Sequence, residues 1–210
     1  SFASALKDKK ASLKVFNQMN IMFIFTSSFL MVCVYRLINN LIILWIGEKY
    51  LISDVGLLIM LAINFIDISS RSLQMAIESE GLFSNIKYST IAEAILNLVI
   101  SLLLVKGMGI EGVLAGSLIA KLLTNAWFIP YVVFNHVLNK NPSIYFRQIA
   151  ISVSLVLAIS YFLNLLNLET NNPAQFVLSS LIVGIIALSG LGTGFYVFSS
   201  SFRDLLVRLK

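Results

Sequence analysis

An all-α polytopic membrane bundle with six transmembrane helices is predicted by three observations. Six long apolar runs fill nearly all of the 210 residues. The composition is 58% hydrophobic and 12% charged, with a mean hydropathy of +0.90, too apolar for a domain with a watered surface. The connections are short and carry Gly, Asn and Pro, which leaves no room for a separate module outside the bilayer. A hydrocarbon core of roughly 30 Å needs about 20 apolar residues per helix, and helices satisfy every backbone group internally.

The first run, 19–46, is long enough to tilt or to end in a surface turn, and Trp45 and Tyr50 flank the turn at Gly47 and Glu48 as interfacial rings do. The second, 51–77, ends at a polar turn between Gly81 and Asn85. The third, 88–105, is the shortest and stops at Lys106 to Gly109. The fourth, 110–134, opens with small residues at Gly112, Gly116 and Ala120, a face suited to close helix packing. Its Pro130 is expected to kink it, with Trp127 and Tyr131 at the interface. The fifth, 145–166, follows a turn at Asn139 to Pro142, and the sixth, 174–198, follows one at Asn171 to Pro173. Gly190 and Gly194 in the sixth have small-xxx-small spacing.

The formal net charge of +5 is explained by topology. One side of the alternating spans collects Lys7, Lys9, Lys10, Lys14, Lys87, Lys140, Arg147, Arg203, Arg208 and Lys210, whereas the other has Lys49 and Lys106. By the positive-inside tendency the chain is a multi-pass protein with both termini cytoplasmic. The basic balance therefore implies no nucleic acid partner. Cys33 is the only cysteine, so no intrachain disulfide is possible, and no metal or cofactor is expected. The first fifteen residues lack the apolar core of a signal peptide.

Polar residues inside the spans recur at helical spacing. The second span places Asn64, Asp67, Arg71, Gln74 and Glu78 on one face, where Asp67 and Arg71 are spaced for an intrahelical ion pair. The third repeats the pattern with Thr90, Glu93, Asn97 and Ser101, and the fourth with Ser117, Lys121, Thr124 and Asn125. A charged side chain at the centre of a span costs about 2.5 to 3.5 kcal/mol on insertion scales. Asp67, Arg71, Glu93 and Lys121 are therefore expected to meet around one cavity, with Arg36 of the first span as a further cation. From Gln148 to Phe198 the fifth and sixth spans carry no ionisable residue, Glu169 lying in the loop between them, which predicts that they face lipid or close the edge of the bundle.

Two motifs are set aside on context. Gly107, Gly109 and Gly112 match G-x-G-x-x-G, yet a membrane-length run precedes them where a dinucleotide fold needs a strand, and no acid follows about 20 residues on. His136 stands alone, outside any metal or triad spacing. No nucleophile motif or paired-carboxylate loop is visible, so the chain does not read as an enzyme.

Gly81 to Phe83 before the third span, Ala94 to Leu98 within it, Gly109 to Val113 after it, then Asn125 with Trp127, Pro130 with Tyr131, and Lys140 follow a recognisable order. About half of the chain thereby resembles the Wzx-type bacterial polysaccharide flippases, in the superfamily that also holds multidrug and toxic-compound extruders and the lipid II flippase. The resemblance implies a larger two-bundle transporter of which this chain is the C-terminal portion, an expectation with which the opening Ser1 agrees. It also implies a place in the bacterial inner membrane and export of an undecaprenyl-diphosphate-linked oligosaccharide. On that reading Arg71, Lys121 and Arg36 neutralise the anionic substrate, Asn97 and Asn125 bond its hydroxyls, and Asp67 and Glu93 couple to an ion. The partners implied are the lipid-linked oligosaccharide, membrane lipids and the N-terminal bundle. Lys121 departs from the small polar residue expected there. The rivals are a cation-coupled drug extruder of the same fold and a membrane polymerase or glycosyltransferase, for which the outer loops are too short.

Overall fold

The computed structural model describes residues 9–166 and 172–208. Among them all regular structure is helical, and six helical segments are long and apolar enough to cross a membrane. Lys7, Glu169, Asn171 and Lys210 lie outside the described residues. The helices are α1 (Lys9–Trp45), α2 (Asp54–Ser69), α3 (Arg71–Glu80), α4 (Phe83–Met108), α5 (Ile110–Leu123), α6 (Asn125–Val133), α7 (Ser143–Leu165), α8 (Pro173–Phe198) and α9 (Ser200–Arg208). The first, third, fifth and sixth expected spans are single helices; the second and fourth are each divided in two.

The long helix α1 is the hub, packing against α2, α3, α7, α8 and α9. Phe16 meets Phe134 edge-on at 6.0 Å, and Phe25 meets Phe195 and Phe202 at 5.6 and 5.4 Å. Lipid tails are as apolar as Leu, so such contacts gain by close packing and by interhelical hydrogen bonds rather than by leaving water. One polar node does the latter. Asn20, 1% exposed, donates to Gln148 Oε1 at 2.8 Å and accepts from the Ser72 hydroxyl at 2.7 Å, tying α1 to α7 and α3. Ser28 and Ser152 add a hydroxyl pair at 3.0 Å. Asn20→Ala strands both partners, so it is expected to cost about 1 to 3 kcal/mol, read as a lower unfolding temperature in detergent micelles.

The fifth and sixth spans turn one face to α1, where α7 and α8 bury Ser152, Val156, Leu163, Val183 and Leu191, and leave an apolar outer face with Leu157, Phe162, Leu181 and Ile185 exposed. A Cβ on Gly190 would come within 3.0 Å of Ile159, and one on Gly194 within 2.7 Å of Leu155, so these glycines let α8 approach α7. The edge is α4, which packs chiefly against α5 and α6 and has no buried residue. Absence of charge does not tell the two faces of such a helix apart, because in a bilayer an apolar face suits a helix neighbour and a lipid neighbour equally.

The interruption of the second span falls at Ser70, where adjacent serines compete for the helix carbonyls. Ser69 Oγ donates to Ile66 O and Ser70 Oγ to Asp67 O, both at 3.2 Å. Such back-bonding offers the chain an alternative to the helical ladder, and paired serines are a known cause of kinks. The fourth span breaks at Thr124 (φ −124°, ψ −95°), six residues before the expected kink. The Thr124 hydroxyl takes the Ala120 carbonyl at 2.7 Å, while its N–H falls back on Lys121 O at 3.3 Å, tightening the last turn of α5. Pro130 sits inside α6, and the chain beyond it widens into one π-type turn, Phe134–Leu138.

Candidate functional site

The hairpin of α4 and α5 is closed by its small residues. Gly112, Gly116 and Ala120 are the buried stripe of α5, and a Cβ on Gly116 would lie 2.7 Å from Ser101 N. That proximity brings a polar row of α4, spaced by four residues, onto the facing helices. Ser89 donates to Asn125 Oδ1 at 2.7 Å, the Thr124 hydroxyl faces Glu93 Oε2 at 3.2 Å, and Ser101 and Ser117 each reach Asn97 Oδ1 at 3.0 Å.

One ionic cluster lies where this row meets α2. Lys121 Nζ is 2.5 Å from Asp67 Oδ1 and 3.7 Å from Glu93 Oε1. The Lys121 and Glu93 side chains are 18% and 21% exposed, whereas that of Asp67 is 46% exposed, so the cluster is sheltered on one side and open on the other. Both span interruptions adjoin it: Asp67 is in the last turn of α2, and Lys121 in the last turn of α5. Helix C-termini carry partial negative charge, which favours the Lys121 ammonium and disfavours the Asp67 carboxylate. With all three groups ionised the cluster has a formal charge of −1. At the far ends of the same two helices Ser53 hydrogen-bonds Glu111, so α2 and α5 are joined at both ends.

Of the residues singled out in the sequence, Asp67, Glu93 and Lys121 meet directly, and Asn97 and Asn125 stand one turn to either side. Arg71 does not join them. The Ser70 break turns α3 away from the register that would pair Arg71 with Asp67; Arg71 is exposed and bonds Gln74 Oε1 at 3.2 Å. Arg36 is also elsewhere, donating to Leu166 O at 3.2 Å and so capping the end of α7. Arg36→Gln is therefore expected to cost about 0.3 to 1 kcal/mol of stability, as a cation lost from a helix C-terminus does, read as a lower unfolding temperature in detergent.

Ser89 takes the place expected of Thr90, and Asn20, Ser72 and Gln148 form a node the stripes did not reveal; single polar residues on three different spans carry no periodic signal. The glycines of 107–112 end α4 and begin α5, with Gly109 at φ +58° in the turn, and no strand precedes them. His136 Nδ1 bonds Val132 O at 3.1 Å inside the π-type turn. Among the described residues no three His, Cys, Asp or Glu side chains come together as metal ligands would.

Fold and cluster together define an all-α chain with six membrane-length helices and an internal group of two carboxylates and one ammonium. No family model, curated protein or solved structure matches it.

Proposed function

We propose that this chain forms one bundle of a transporter that moves an undecaprenyl-diphosphate-linked oligosaccharide across the bacterial inner membrane for surface polysaccharide synthesis. The observation that supports this reading most is the meeting of Asp67, Glu93 and Lys121 beside two interrupted spans. Ionic groups at membrane depth mark substrate or ion pathways, and broken helices in paired positions mark transporter sites. Lys121 is the cation that a diphosphate would draw off, and Asp67 and Glu93 hold it in place when no substrate is bound. Asn97 and Asn125 use their carbonyl oxygens within the chain, which leaves amide N–H groups for sugar hydroxyls. Exposed Arg71 meets the head group outside the cluster. A second bundle facing α4 and α5 completes the alternating-access pair.

The test is export of surface polymer by cells carrying Lys121→Ala or Arg71→Ala at the native locus. Polymer is expected to fall in both; unchanged polymer in both overturns the substrate assignment. The formal charge of −1 favours one alternative, a cation-coupled drug extruder of the same fold. A drug-resistance assay in strains carrying Asp67→Asn or Glu93→Gln separates the two, since only the extruder makes resistance depend on these carboxylates.

A further inference from the structure

We propose that Asp67, Glu93 and Thr124 form a site for a single monovalent cation, and that Lys121 is a tethered occupant which keeps free sodium out. The inference deepens the transporter reading and rests on it only for its role in coupling. Three observations carry it. The donors facing the ammonium are hard oxygens: Asp67 Oδ1 at 2.5 Å and Glu93 Oε1 at 3.7 Å, with the Thr124 hydroxyl on the other oxygen of Glu93 at 3.2 Å. Two helices, α2 and α5, end beside these donors, and interrupted helices place their negative ends on bound cations in membrane transporters. The count of charge is uneven: two carboxylates face one ammonium, so a displaced Lys121 leaves two negative charges without a counter-charge.

A lysine ammonium and a sodium ion carry the same charge, so they exclude one another from one oxygen set. When an anionic ligand draws Lys121 away, the vacated carboxylates become the place for a free cation. Anion binding and cation entry are thereby linked through one side chain, without a second site.

Thermal unfolding of the full chain in detergent tests this without any transport assay. Sodium chloride is compared with N-methyl-D-glucamine chloride at equal ionic strength, the second cation being too large for the cluster. The wild type is expected to melt at the same temperature in both salts. Lys121→Ala opens the site, and sodium at about 100 times its dissociation constant is expected to raise its melting temperature by about 5 to 10 °C. The same substitution combined with Asp67→Asn and Glu93→Gln is expected to show no sodium response. Lys121→Ser supplies the same comparison where Lys121→Ala does not fold. The inference is overturned by a wild type that responds to sodium as strongly as the variants, or by helical, folded Lys121→Ala or Lys121→Ser indifferent to it. Unchanged polymer export in the Lys121→Ala and Arg71→Ala strains, alongside a sodium response of purified Lys121→Ala, would remove the substrate reading and leave this one standing.

Discussion

Lys121→Met is expected to destabilise the bundle by about 2 kcal/mol and, on the proposed transport reading, to abolish surface-polymer export. Breaking a buried ion pair by removing one partner costs about 3 to 5 kcal/mol, because the other charge is left without compensation. Here Asp67 is 46% exposed, so solvent screens part of that loss and the lower figure applies. Methionine fills the volume of the lysine stem, which separates charge from packing. The carboxylates of Asp67 and Glu93 would then face each other, with Asp67 also at the unfavourable end of α2. Adding Asp67→Asn and Glu93→Gln is expected to restore the stability, since a neutral set in place of a buried ionic one is often equal or better. It is not expected to restore transport. Melting temperature and surface polymer, measured on both variants, check the pair of outcomes; a single variant as stable as wild type would show that the cluster holds nothing together.

Gly116→Val is expected to cost about 3 kcal/mol or more and to detach α4 from the rest of the protein. The added Cβ would lie 2.7 Å from Ser101 N and 2.8 Å from Ser101 Cα, and backbone atoms cannot rotate aside as a side-chain tip can. Helix α4 packs chiefly against α5 and α6, so little else holds it while α5 pushes it outward. The hydrogen bonds of Ser117 to Asn97 and of Thr124 to Glu93 then lengthen beyond use. Gly107→Ala is the contrasting case. No atom lies within 4 Å of a Cβ there, and alanine suits a helix better than glycine by about 0.5 to 1 kcal/mol. Protease accessibility of the turn between α3 and α4, compared across the two variants, reports the detachment; a Gly116→Val protein as resistant as wild type would refute the clash.

Much of the architecture was legible because the bilayer imposes a length and a polarity on every span. The six runs, their turns and the small-residue faces at Gly112, Gly116, Gly190 and Gly194 follow from hydropathy and size alone. The polar faces of 64–78 and 90–101 were legible through their spacing. Their partners were not. A spacing of four residues allowed Asp67 to pair with Arg71, and only the Ser70 break, with Lys121 closer at hand, decided against it.

By itself the sequence determined that this chain is helical, that six segments match a membrane, and that three of them carry polar faces with ionisable groups. Tertiary structure alone decided which helix is central and which is at the edge, where the spans break, and which cation sits between Asp67 and Glu93. The physical reason is that hydropathy and periodicity are properties of one helix at a time. Packing order and ion pairing depend on how closely two helices approach, which the small residues of each must settle jointly with those of its neighbour.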